Sequence, residues 1–199
     1  MLRPLSPIAL ITATITATAS CLLPLPAMAM EYGQVQADKS SLRFVAKQMG
    51  VPTEGRFGKF TARIAFDPAK PETASARIDV ELASIDAGSA EANNEVKSKA
   101  WFNVREFPAA TFVTHQLKAI GNSRYEATGK MTIKGRTLDV VAPFTARTEG
   151  NTMVLDGAIP IQRLQYGIGE GIWSDIATVA DEVQLRFRFT LGAVPMTKK

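Results

Sequence analysis

The chain has 199 residues, 46% of them hydrophobic, a formal net charge of +4, one cysteine and one histidine. A single cysteine excludes a disulfide framework, a zinc–thiolate centre and a cysteine-ligated iron–sulfur cluster. The small positive balance serves solubility or an attraction to anionic headgroups, and without aromatic interleaving among the arginines it argues against nucleic acid as a partner.

From the N-terminus, Arg3 precedes a charge-free apolar run from Ile8 to Leu25, and Ala27-Met28-Ala29 has the small-x-small pattern of a signal-peptidase site. Residues 1–29 are therefore predicted to be a cleaved leader. A threonine-rich interior with Pro24 and Pro26 disfavours a membrane span. Lipidation of Cys21 is the minority alternative, because Thr18 stands where a lipoprotein signal prefers a large aliphatic residue. Residues 30–193 are predicted to be one all-β domain, and 194–199 a frayed tail.

Period-two alternation then recurs along the chain. It marks candidate strands at Leu42–Phe44, Phe60–Phe66 and Ile78–Leu82. Ser89 to Lys99 breaks the pattern: it is rich in helix formers, Ser89 can cap it, and Val96 is its one large apolar residue, so a short solvated helix is predicted near 89–100. Trp101 and Phe102 follow at once and are expected to dock over an open end of the sheet. Further strands are predicted at Thr111–Leu117, Arg124–Ile133, Thr137–Ala146, Thr152–Ile161 and Val183–Leu191, separated by turns such as Lys134-Gly135. In the last of these, Val183, Leu185, Phe187, Phe189 and Leu191 share one face and Gln184, Arg186, Arg188 and Thr190 the other. About eight long antiparallel strands in meander order suit either a sandwich or a closed barrel.

Catalytic chemistry is scarce. His115 shares the parity of Val113 and Leu117, which would allow it to point inward, as a structural residue more often than as a ligand or base, and no Gly-x-Ser-x-Gly elbow accompanies it. It is the sole histidine available as a general base, with Tyr166 or a carboxylate as helper. Asp175, Asp181 and Glu182 gather beside Gly167, Gly169 and Gly171 but lack the alternating oxygen-ligand spacing of a calcium loop. No catalytic residue and no metal site is predicted.

Several ordered motifs resemble the YceI-like family of bacterial periplasmic proteins. They are Gly55-Arg56-Phe57, Ile64-Ala65-Phe66-Asp67-Pro68, Ser84-Ile85-Asp86-Ala87-Gly88, Trp101-Phe102-Asn103-Val104 with Phe107-Pro108, Gly129 through Gly135, and Arg163, Gly167-Ile168-Gly169, Trp173 and Asp181-Glu182-Val183. Two positions depart from the family pattern: Ala92-Asn93-Asn94 where relatives carry Arg-Asp, and Gln48-Met49-Gly50 where they carry His-x-Gly. The resemblance implies a periplasmic, lipocalin-like antiparallel barrel of eight strands around an elongated apolar pore. It implies a bound polyisoprenoid, isoprenoid quinone or similar amphiphile, no covalent cofactor and no enzymatic activity. A membrane b-type cytochrome and a homodimer are the partners it leaves open. The expected lining is Leu42, Phe44, Phe60, Ile64, Val80, Trp101, Phe102, Phe112, Met131, Ile133, Val140, Phe144, Ile168, Trp173, Leu185, Phe187 and Phe189. Trp173 either caps the cavity or dips from its glycine-rich loop into a membrane or partner surface.

Overall fold

A computed structural model describes residues 30–194; the predicted leader with Cys21 and the last five residues lie outside that range. Among the described residues, eleven strands and one α-helix are formed. The strands are β1 (Glu31–Val35), β2 (Ser41–Gln48), β3 (Val51–Phe57), β4 (Phe60–Ala65), β5 (Ser75–Glu81), β6 (Ile85–Asp86), β7 (Ala109–Gly121), β8 (Arg124–Ile133), β9 (Arg136–Glu149), β10 (Thr152–Gln162) and β11 (Glu182–Val194); α1 is Ala90–Lys97. All pairings are antiparallel, in the order β4-β5-β7-β8-β9-β10-β11-β2-β3-β6. The sheet curls back on itself through β1, which pairs with the end of β11 and exchanges two 2.9 Å backbone hydrogen bonds between Tyr32 and Phe66, just past β4. Such curling removes most of the exposed edge and leaves a lipocalin-like barrel.

The expectation of about eight strands is corrected to eleven. The extra three are β1, β3 and the two-residue β6. At the C-terminal end β11 stays paired through Val194, opposite Glu31, one residue past the predicted end of the domain. β3 carries Pro52, Glu54 and Gly55, which weaken any propensity signal, yet it pairs with β2 over seven positions. Lys134 and Gly135, both in the left-handed region, make the predicted two-residue turn between β8 and β9.

Alternation places Tyr125, Ala127, Met131 and Ile133 of β8, and Ala142, Phe144 and Ala146 of β9, inside. On β7 the alternation breaks. Thr114 opposes Gly129 and Gln116 opposes Thr128, so His115 is an extra, bulged residue. A one-residue insertion inverts the phase of everything beyond it. Phe112 and Leu117 are consequently both buried, while His115 and Val113 are exposed. The inward placement that parity alone would allow His115 is therefore not the one adopted.

One end of the barrel is filled by aromatic rings. Phe66 meets Tyr125 edge-on at 5.2 Å, and Tyr125 stacks on Phe144 at 5.4 Å. At the other end sits α1. Its N-cap is the predicted one, with Ser89 Oγ accepting from the Ala92 amide at 3.1 Å. The helix is less solvated than expected, since Ala92 and Val96 are half-buried against the interior.

Candidate ligand cavity

Between the aromatic plug and α1 the barrel encloses a cavity of about 560 Å³, within the range of small-molecule sites. Its wall is almost wholly apolar. Leu42, Phe44, Ile64, Val80, Trp101, Phe102, Phe112, Met131, Ile133, Phe144, Ile168, Trp173, Leu185, Phe187 and Phe189 all line it. Phe60 and Val140 do not. Both lie on the inward parity, but they pack into the core, Phe60 edge-on to Phe189 at 5.9 Å. Sequence reasoning left out Leu155, Ile159 and Ile161 of β10, although the same alternation exposes them, and it left out the small pair Ala127 and Ala142, which face each other across β8 and β9.

The interior stays open because its largest rings lean sideways over glycines. Phe44 is paired with Gly55 and Phe187 with Gly157. A Cβ at Gly55 would run into the Phe44 ring, and one at Gly157 would meet Phe187 and come within 2.5 Å of the Pro143 carbonyl oxygen. At Gly129 it would lie 2.7 Å from the Phe112 ring. Any side chain at these positions would push a ring out into the lumen, so the glycines set the bore of the barrel.

The mouth is built from α1, the β2–β3 hairpin and the segment from Arg163 to Asp181. Exposed Gln48 and Glu91 join its lining. Arg163 organises this end. Its side chain is 1% exposed, and its guanidinium donates to the carbonyls of Ala180 (3.0 Å), Ile168 (2.9 Å), Gly169 (3.1 Å), Trp173 (2.7 Å) and Val179 (2.6 Å). Burial lowers its pKa, and the charge of Asp181 opposes that shift. The same guanidinium lies 5.7 Å from the Trp101 ring centroid, and Trp101 packs on Trp173 at 5.6 Å. Of the two roles considered for Trp173, the structure gives it the inward one; its neighbour Ile172 faces out.

A second clamp joins the loop after α1 to this segment. Lys134 Nζ donates to the Lys99 carbonyl (3.0 Å), the Gly167 carbonyl (2.6 Å) and Glu170 Oε2 (3.0 Å). The hydrogen bond and charge of Lys134 hold the Glu170 carboxyl below its ordinary range, with smaller help from Arg136 and Lys99. The Gly169 and Glu170 amides both donate to the Ala100 carbonyl. Thus Trp101 is fixed from two sides.

The polar groups singled out in the sequence do not assemble into a reactive centre. His115 is on the outside, and Tyr166 is buried outside the cavity wall, its phenol pushed up to about 12 by burial. Asp175 accepts from the Ala177 amide and the Thr178 hydroxyl of its own turn, and Asp181 accepts from the Leu164 amide across the mouth segment, so both are taken up by backbone and hydroxyl partners. Among the described residues, no three His, Cys, Asp or Glu side chains converge as a metal site.

Comparison with known proteins agrees with this geometry. The profile of the YceI-like domain matches residues 34–191. A UPF0312 protein of Azotobacter vinelandii is 33% identical over 137 residues, covering 66% of this chain and 69% of its own. Among solved structures, Burkholderia cenocepacia BcnA is 43% identical with a TM-score of 0.77, covering 79% of this chain and 99% of its own. A polyisoprenoid binding domain from Saccharophagus degradans shares the fold at 14% identity and a TM-score of 0.61, over 83% of this chain and 99% of its own.

Proposed function

This chain belongs to the YceI-like family, and we propose that it is a non-enzymatic periplasmic carrier that encloses the tail of a polyisoprenoid, an isoprenoid quinone or a similar amphiphile. The observation that carries this reading is the apolar cavity, plugged by aromatic rings at one end and opening beside α1 at the other. At roughly 0.8 kcal/mol per methylene, a tail of about 20 to 40 carbons costs on the order of 15 to 30 kcal/mol to expose to water. An apolar sleeve cancels most of that cost, and no covalent step is needed. The leader read from residues 1–29 supports a periplasmic site of action, where such a lipid must cross water.

Native mass spectrometry of protein prepared gently from cells tests the proposal. The expected spectrum carries an adduct of lipid mass that solvent extraction removes and that an added isoprenoid quinone or polyprenol restores. Protein free of lipid in every gentle preparation, and unable to take up either compound afterwards, refutes it.

A further inference from the structure

Four large apolar side chains stand out in water at the mouth of the cavity: Met49 (77% exposed), Val51 (63%), Ile172 (84%) and Ile176 (62%). Met49 and Val51 belong to the tip of the β2–β3 hairpin, and Ile172 and Ile176 to the segment held by Arg163. The two tips are tied together through their backbones. The Met49 amide donates to the Thr178 carbonyl at 2.9 Å, the Ala180 amide to the Lys47 carbonyl at 2.9 Å, and Gln48 bridges Val179. The hairpin tip and the segment that carries Ile172 and Ile176 are therefore fixed to each other at the mouth. This junction also adjoins the cavity, because Gln48 and Val179 are themselves part of the lining.

Met49 breaks a local rule. It adopts φ 50 beside Gly50 at φ 80, in a two-residue turn between the paired residues Gln48 and Val51. The first position of such a turn favours Asn, Asp or Gly, the residues that tolerate the left-handed region. A methionine there is strained, and its exposed side chain recovers nothing from the fold. A side chain that departs from local preference without a compensating contact points to a role outside the fold.

We propose that these four residues form a bilayer-docking surface, which enters the hydrocarbon boundary of a lipid membrane and sets the cavity mouth against it. The occupant is a bilayer because four large apolar groups are exposed on two backbone-tied segments at the mouth, and because the cavity behind them suits a membrane-resident tail. This last point rests on the carrier reading above. Charges beside the tips are of both signs, with Lys47 and Glu54 on the hairpin and Asp175 next to Ile176, so the docking is driven by apolar burial rather than by anionic headgroups.

Flotation with phosphatidylcholine vesicles, without added ligand, tests this directly. Wild-type protein is expected to float, with little change at high salt. The variant M49N/I172S/I176S should float about tenfold less while binding a short-chain, water-soluble quinone as the wild type does, read by quenching of Trp101 and Trp173. M49N alone should raise the melting temperature while weakening flotation, a combination that a structural role for Met49 does not produce. The inference is overturned if wild type stays with the aqueous phase, if the triple variant floats equally well, or if flotation requires anionic lipid and is lost in salt. It is likewise overturned if wild type is a dimer that the triple variant dissolves, for the patch would then be an interface between copies. Flotation by a protein that binds no quinone or polyprenol upholds docking and sinks the carrier reading instead.

Discussion

Replacing Arg163 with methionine keeps much of the side-chain volume and removes five hydrogen bonds at once. Three of them, to Ile168, Gly169 and Val179, are wholly buried, while those to Trp173 and Ala180 are partly open to water. A buried carbonyl stripped of its donor costs about 1–3 kcal/mol, so three at about 2 kcal/mol each give roughly 6 kcal/mol. Relief of the guanidinium's own desolvation, the cause of its lowered pKa, offsets part of this. We expect a net loss of about 4 kcal/mol, a large share of the 5–15 kcal/mol typical of a domain. Arg163→Lys should recover little, since one ammonium has three donors and the carbonyls approach from both ends of the 168–180 segment. Urea titration followed by tryptophan fluorescence measures the loss, and hydrogen exchange at the Ile168 and Gly169 amides locates it. A loss below about 1 kcal/mol with unchanged exchange in this segment would refute the clamp.

Filling the recess between facing Ala127 and Ala142 with Ala142→Phe should lower affinity for a long isoprenoid about tenfold, the worth of roughly two displaced methylenes, without lowering the melting temperature; equal affinity in a titration would show the recess is not used. The depressed carboxyls of Glu170 and Asp175 contribute stability that is complete above their unfolded pKa and lost as pH falls through their folded values, so fluorescence should report loosening at the mouth once pH drops below about 4. Tyr166 has the opposite sign: its folded pKa of about 12 exceeds the usual 10, so stability falls as pH rises from 10 toward 12. Its hydroxyl has no hydrogen-bond partner among the described residues, and Tyr166→Phe should remove that alkaline limb and stabilise the fold by about 1 kcal/mol in thermal melts. His115→Ala should leave lipid binding intact and bound lipid chemically unchanged, as in wild type; turnover that depends on His115, read by mass spectrometry of extracted lipid, would overturn the non-enzymatic reading.

How far the sequence carried depended on whether the signal was local. Period two found eight of the eleven strands because each has one dry and one wet face, and the Ser89 cap was visible because its partner amide lies three residues on. β3 was hidden by Gly55 and Pro52, and the need for a glycine there comes from Phe44 on the neighbouring strand. The bulge at His115 has no local mark either: it is defined by Gly129 and Thr128 opposite. Parity placed Phe60 and Val140 on the correct face, but depth within that face is set by neighbours distant in sequence. In the sequence Arg163 is one residue of a motif, and its role emerges only once five carbonyls converge on it. Ile172 lies beside the more conspicuous Trp173, and only the turn's geometry separates the residue facing in from the one facing out.

The pairing of β11 fixes when the barrel can form. Its first half holds β2, its last residues hold β1, and nearly its whole length holds β10, so Tyr32 waits for Ala193 and Leu42 for Phe187. Contacts this distant in sequence carry a high entropic cost of closure and slow the folding of all-β chains. A chain emerging N-terminus first therefore keeps β1 and β2 unpaired with their proper neighbour until its final stretch is free. During that interval the phenylalanine-rich inner wall is open along its seam rather than only at the mouth, and a hydrocarbon tail present then can be wrapped sideways as the last strand zips in, without ever threading the opening.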